Sequence, residues 1–200
     1  VTLRNYGAPD EITLQTDIGP MPDAPEDSSV QSVTLERAGT LTVDGPGGRS
    51  WNIAMRADTA PSVVLDGEVQ GEPPGQMQFS FTATDDYGVT SGQARFSLDL
   101  AAVDRRYGLA TAPEPREAVA VDLPMPFRGS RAEFTEVVIE DLSEHPFANL
   151  PVTMTLTVTD DRGQIGTVSY DLPRLPGRSF FDPLANAVIE MRRDILWSRE

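Results

Sequence analysis

The sequence predicts an all-β protein, and three observations carry that prediction. Apolar and polar residues alternate through most of the chain, the pattern of half-buried strands. Turn-forming residues punctuate the alternating runs. One strand-and-turn phrase is written twice: Thr82-Ala83-Thr84-Asp85-Asp86-Tyr87-Gly88 returns as Thr157-Val158-Thr159-Asp160-Asp161-Arg162-Gly163. Phe79, Phe81 and Ala83 lead into the first copy, and Met154, Leu156 and Val158 into the second, at matching phase. Seven such strands with turns between them describe an immunoglobulin-like sandwich. The expected architecture is two immunoglobulin-like units, the first short enough to be truncated, followed by a C-terminal α-helix.

The elements follow in order. Residues 1–58 form a small β unit with expected strands Val1–Arg4, Glu11–Thr16, Ser32–Glu36, Thr40–Asp44 and Ser50–Ala57. Asp44-Gly45-Pro46-Gly47-Gly48 joins the last two as a hairpin loop, and the Pro- and Asp-rich Gly19–Ser29 is a longer loop. A boundary falls at Asp58-Thr59-Ala60-Pro61, because proline cannot extend a central strand. Residues 59–173 carry the seven-strand sandwich: Ser62–Leu65, Met77–Thr84, Thr90–Leu100, Glu117–Leu123, Ala132–Glu140, Val152–Thr159 and Gln164–Leu172. The Pro-bearing Asp104–Pro115 suits a variable crossover between sheets. Residues 174–200 are a linker and an amphipathic helix. Asp182-Pro183 supplies its N-cap and first-turn proline. Leu184, Val188, Met191 and Ile195 recur at helical spacing, widened by Ile189 and Leu196, and are expected to bury against the sandwich or against further helical chain. The chain opens on Val1 and reaches Glu200 with no closing glycine, so it reads as a piece of a longer protein.

Composition excludes several functions. The formal charge of −15 leaves no excess of cations to displace the counterions of a nucleic acid, and it disfavours docking on anionic lipid. It favours basic partners or divalent ions. With no cysteine, disulfides, thiolate metal sites and cysteine nucleophiles are ruled out. No run approaches the roughly 18 apolar residues of a membrane span, so this segment does not itself insert in a membrane.

The sharpest chemical candidate is the repeated turn. In a seven-strand sandwich both copies fall at one end, with the start of the first strand beside them. Asp85, Asp86, Asp160 and Asp161, joined by Asp58 from the linker, would then share one pole. Hard oxygen donors at a domain junction are what calcium requires, which makes a calcium-stiffened, adhesion-type module one reading. Turn chemistry alone accounts for the same residues, since Asp caps its own backbone and Gly accepts positive φ. His145, the only histidine, would have to serve any histidine-dependent catalysis; no Gly-x-Ser-x-Gly elbow accompanies it. The glycines at 45–48 sit in a hairpin, not before a helix, so they do not cradle phosphate. Trp51, Tyr87, Tyr107 and Phe127 are the aromatics a carbohydrate-binding face would need. Trp51 alternates with Ile53 and Met55 and is expected in the core, whereas Tyr87 sits on a turn tip. Phe180 and Phe181 are expected to anchor the tail against a β face, and Trp197 to pack on whatever the helix meets.

Asp85-Asp86-Tyr87-Gly88-Val89 within an apolar β run resembles a hallmark of large, uncharacterised alphaproteobacterial membrane-anchored proteins that share a domain of unknown function. The stretch from Leu175-Pro176-Gly177-Arg178-Ser179-Phe180-Phe181-Asp182-Pro183-Leu184-Ala185 to Ile189-Glu190-Met191-Arg192-Arg193 resembles that family's entry into a long helical region. Trp51–Pro61 is similar to its junction between β units. The resemblance covers roughly Trp51 to Trp197. It implies amino-terminal membrane helices outside this segment, a periplasmic β region and low-complexity helices beyond, hence a periplasmic location tethered to the inner membrane. It brings no catalytic residue. The functional expectation is a non-enzymatic spacer or protein-interaction module with a protein partner, without nucleic acid and without any cofactor other than calcium.

Overall fold

The computed structural model describes residues 2–4, 13–19, 30–32, 34, 36–45, 47–73, 75–103 and 116–198. The expected loop Asp104–Pro115, Tyr107, most of the Gly19–Ser29 loop and the last two residues lie outside them. The chain divides into two compact units, Val1–Ala57 and Asp58–Glu200.

In the first unit β1 (Thr2–Arg4) pairs antiparallel with β3 (Val30–Ser32), and β2 (Thr13–Thr16), β4 (Gly39–Asp44) and β5 (Arg49–Ile53) form a three-stranded antiparallel sheet in the order β2-β4-β5. The β4–β5 hairpin turns through Gly45 and Gly47, both at positive φ, as the glycine-rich loop requires. Leu14, Ile18 and Leu41 make a small core, with Val43 and Ile53 against it. Trp51 is not buried as expected but 43% exposed. It stands directly opposite Leu41 and so shares its face. β5 is the edge strand, however, and the small core does not extend far enough to cover an indole.

The second unit is a seven-strand sandwich. β6 (Ser62–Glu72), β7 (Gln76–Thr84) and β10 (Glu133–Glu140) form one antiparallel sheet in the order β10-β7-β6. β8 (Val89–Leu98), β9 (Val119–Asp122), β11 (Val152–Asp160) and β12 (Ile165–Leu172) form the other, in the order β12-β11-β8-β9. The chain changes sheet after β7, β9 and β10, the Greek-key path of an immunoglobulin-type fold. Alternation decides what is inside. Met77, Phe79, Phe81 and Ala83 of β7 face Val152, Met154, Leu156 and Val158 of β11, and all are buried, with Phe96 between them. Each fully buried side chain of this size contributes about 1.5–3 kcal/mol.

β6 runs well past the expected Leu65. Its register against β7 slips between Asp66 and Gln70, where Gly67 has positive φ, and pairing then resumes to Glu72. On its other side β6 meets β12: Leu65 N–H donates to the Tyr170 hydroxyl at 3.0 Å, and Gly166 lies so close to Pro61 that a Cβ would stand 2.0 Å from the Pro61 carbonyl oxygen.

The end of the sandwich opposite the repeated turns is closed by residues 141–151 and the tail. Phe147 and Leu150 are buried there, as is Leu175 of the tail. Backbone bonds Asn149 N–H to Leu175 O (2.9 Å) and Leu175 N–H to Leu150 O (2.7 Å) fix the tail in place. Asn149 adopts φ 64, the left-handed region that asparagine tolerates better than most residues. From there its Nδ2 donates to Arg178 O, and its Oδ1 accepts from the Arg174 guanidinium. α1 (Pro183–Ser198) follows, capped by Asp182, whose Oδ1 accepts from the N–H groups of Leu184 and Ala185. Its stripe Leu184, Val188, Met191 and Ile195 is exposed and does not bury against the sandwich, and Phe181 is 95% exposed and anchors nothing. Phe180, Ile189 and Arg192 instead line a small cavity with Glu144, His145 and Asn149, so the helix meets the sandwich through a different face.

Candidate functional site

The repeated phrase builds two equivalent turns. In each copy a strand ends, the first aspartate turns inward, and a glycine at positive φ, Gly88 or Gly163, closes the bend. Both inward carboxylates are buried, Asp85 and Asp160 each 4% exposed. Asp85 Oδ2 accepts from the N–H groups of Tyr87 (3.0 Å) and Gly88 (2.5 Å). Asp160 Oδ1 accepts from the N–H groups of Arg162 (2.8 Å) and Gln164 (2.7 Å), while Oδ2 accepts from Gln164 Nε2 (3.0 Å). These carboxylates satisfy the turn's own backbone donors.

The second aspartates diverge. Asp86 Oδ1 accepts from both the N–H (3.3 Å) and the hydroxyl (2.9 Å) of Thr59, which ties the linker to the first turn. Asp161 is exposed. The variable position of the second copy, Arg162, reaches the linker instead: its Nε lies 3.0 Å from Asp58 Oδ2. Asp58 is largely buried, and desolvation raises its pKa, aided by the nearby charges of Asp160, Asp86 and Asp85 and opposed by Arg162. The Thr59–Asp86 bonds and the Asp58–Arg162 ion pair bring the linker to both turns, so Asp58, Asp85, Asp86 and Asp160 stand at one pole. Arg162 and Thr59 are the participants that sequence reasoning missed. The signal available was an arginine at the one position where the two copies differ in charge.

Asp58 Oδ1 and Asp85 Oδ1 are buried without a hydrogen-bond partner. Among the described residues, however, no three Asp, Glu, His or Cys side chains gather in a group that could hold a metal ion. What the pole does chemically is brace: two turns cap themselves, and two linker residues are bonded to them.

The remaining candidates are also engaged. His145 Nδ1 accepts from Phe147 N–H at 3.1 Å, and its ring meets Phe147 edge-on at 4.7 Å. Burial lowers its pKa, with a further push from the Arg116 charge. The cavity it borders, about 120 Å³, joins residues also found around a wider cleft of about 620 Å³ between the end of β6 and the tail, lined by Glu72, Arg174, Arg178 and Phe181 among others. Tyr87 is 63% exposed on its turn tip, and Phe127 is fully exposed on the loop between β9 and β10. That loop is bonded to the first turn through Asp85 N–H to Ala132 O and Val89 N–H to Arg131 O. Among the described residues no helix is long and apolar enough to cross a membrane.

Fold and pole together define a β-sandwich protein of immunoglobulin type with two self-capped acidic turns at one end. Residues 1–200 match the model of a domain of unknown function, DUF4175, and the chain belongs to that family. No curated protein matches it.

Proposed function

We propose that this chain is a non-enzymatic module of an envelope protein. It stands in the periplasm, is held at the inner membrane by parts of the protein outside these residues, and acts as a spacer that offers a docking edge to another protein. One observation carries the reading. β10 sits at the end of its sheet, and among the described residues no strand pairs with its outer edge. On its solvent face it shows Val137 (45% exposed) and Ile139 (56%), and it carries Glu133, Glu136 and Glu140. No proline or lysine guards it. An edge of that kind takes an added strand, with main-chain hydrogen bonds for affinity and side chains for choice. Its carboxylates select a basic strand over an acidic one.

The engagement of His145, Asp85 and Asp160 in structural bonds supports a role without catalysis. The experiment is site-specific photocrosslinking in cells expressing the full-length protein. A crosslinker at Ile139 is expected to give a discrete adduct that disappears in Glu133→Arg/Glu140→Arg. The same crosslinker at Thr157, on the hydroxyl-lined face of the other sheet, is expected to give none. Equal labelling at both positions, or none at Ile139, would count against the edge. Digestion of the module by added protease in spheroplasts but not in intact cells checks the location.

A further inference from the structure

Among the described residues the helix stripe is the largest set of exposed large apolar side chains in one element. Leu184, Val188, Met191 and Ile195 are 74%, 55%, 66% and 59% exposed. Their spacing is four, three, four, which places two positions in every seven on one line. A stripe of that kind is a seam for one neighbouring helix, narrower than the band a helix lays on a sheet. The helix does not use it to hold the sandwich. Ala185 and Ile189 are the half-buried positions, roughly a third of a turn round the axis, and Ile189 and Arg192 are the residues beside His145 and Phe180.

The identity of the seam residues says which helix fits. With Val188 and Ile195 at a, Leu184 and Met191 fall at d. β-Branched residues at a, with residues such as leucine that are not branched at Cβ at d, favour parallel two-stranded coils. Charge agrees. The chain carries −15, but residues 183–198 hold Glu190 and Asp194 against Arg192 and Arg193, a balance of zero. This is therefore an element on which two copies can meet without the mutual repulsion of their acidic β units. Across such a pair the g position Ala187 would face the e position Arg192, with no like charges opposed.

We infer that α1 is a self-association element that pairs with α1 of a second copy as a short parallel coiled coil. Two heptads are few, so the dimer is weak and appears with concentration. Added salt strengthens it, because screening relieves the repulsion between acidic β units; salt would weaken a contact with a basic partner.

Sedimentation velocity on the 200-residue chain, from micromolar to millimolar concentration at low and high salt, reads this directly. A monomer–dimer equilibrium shifted toward dimer by salt is expected. Val188→Glu/Ile195→Glu, both on exposed positions, should leave a monomer throughout with the sandwich melting unchanged. Because the chain has no cysteine, Leu184→Cys should form a symmetric disulfide dimer on mild oxidation, as only parallel pairing allows. A monomer at millimolar concentration in high salt overturns the inference, as does a dimer that survives the double substitution. Disulfide formation only between Leu184→Cys and Ile195→Cys chains overturns the parallel arrangement. None of these results bears on crosslinking at Ile139, so the docking edge of β10 stands or falls separately.

Discussion

Asp160 holds more of its turn than its twin in the first copy does. It accepts from three donors, two of them backbone, while buried. Asp160→Ala strands those donors and is expected to cost roughly 2–4 kcal/mol, read as a lower urea midpoint with the same slope. Asp161→Ala, at the exposed neighbouring position, should stay within about 0.5 kcal/mol. The two aspartates look alike in the sequence because turn propensity does not distinguish the residue that caps from the residue that follows. His145 gives a pH signature. Its folded pKa lies below its ordinary value because burial penalises the imidazolium. The unfolded chain therefore binds more protons below about pH 6.5, and stability is expected to fall as pH drops through that value and onward to the folded pKa. Above it the contribution is fully present. His145→Gln should flatten the slope of urea midpoint against pH between about 7.5 and 5.5 relative to wild type.

Strands are where period-2 reading works best, and its failures have causes. β7 and β11 were legible almost to the residue because strict alternation over eight or nine positions has no competing pattern. β6 was legible only to Leu65, since Asp66-Gly67-Glu68 breaks the alternation at the register slip that lets the strand continue. The α1 stripe was legible as a helix face, but its turning away from the sandwich was not, because periodicity reports which residues align and not what lies opposite them. The junction of β6 with β12 was invisible: it depends on a phenol and a glycine that carry no periodic signal. Tyr170→Phe removes the acceptor of Leu65 N–H and is expected to cost about 1–2 kcal/mol in chemical denaturation. Gly166→Ala should do more harm, because its Cβ would meet backbone atoms of Pro61 that cannot rotate away.

At the scale of the molecule, the acidic pole was legible as a place and not as a mechanism. The doubled phrase closes the second and sixth strands of a seven-strand order, and that order puts both turns at one end. What ties the linker to the second turn was not legible: Arg162 and Asp58 are distant in sequence, and only the folded order of strands brings them together. That pairing bears on calcium. With one oxygen of Asp58 paired to Arg162, one oxygen of Asp85 and both of Asp160 bonded within their turns, and no three acidic side chains gathered among the described residues, millimolar calcium is expected to leave the melting temperature where chelator leaves it. A rise following the linkage relation would show instead that the turns rearrange to bind the ion. All sixteen basic residues of the chain are arginines, with no lysine. Reagents that modify lysine amines will therefore report only on the amino terminus of this segment, which makes arginine substitution the practical probe of its surface charge.

The two exits of the sandwich lie at opposite ends. The chain enters β6 at the acidic pole, through Asp58 and Thr59 bonded to Arg162 and Asp86, and leaves β12 at the far end, where Leu175 is bonded to Leu150. A pulling force applied along the chain would therefore run the full length of the domain. It would load the β6–β7 and β11–β12 ladders in shear, all bonds at once, instead of unzipping them one by one. A module wired in this way transmits tension between whatever stands at its two ends.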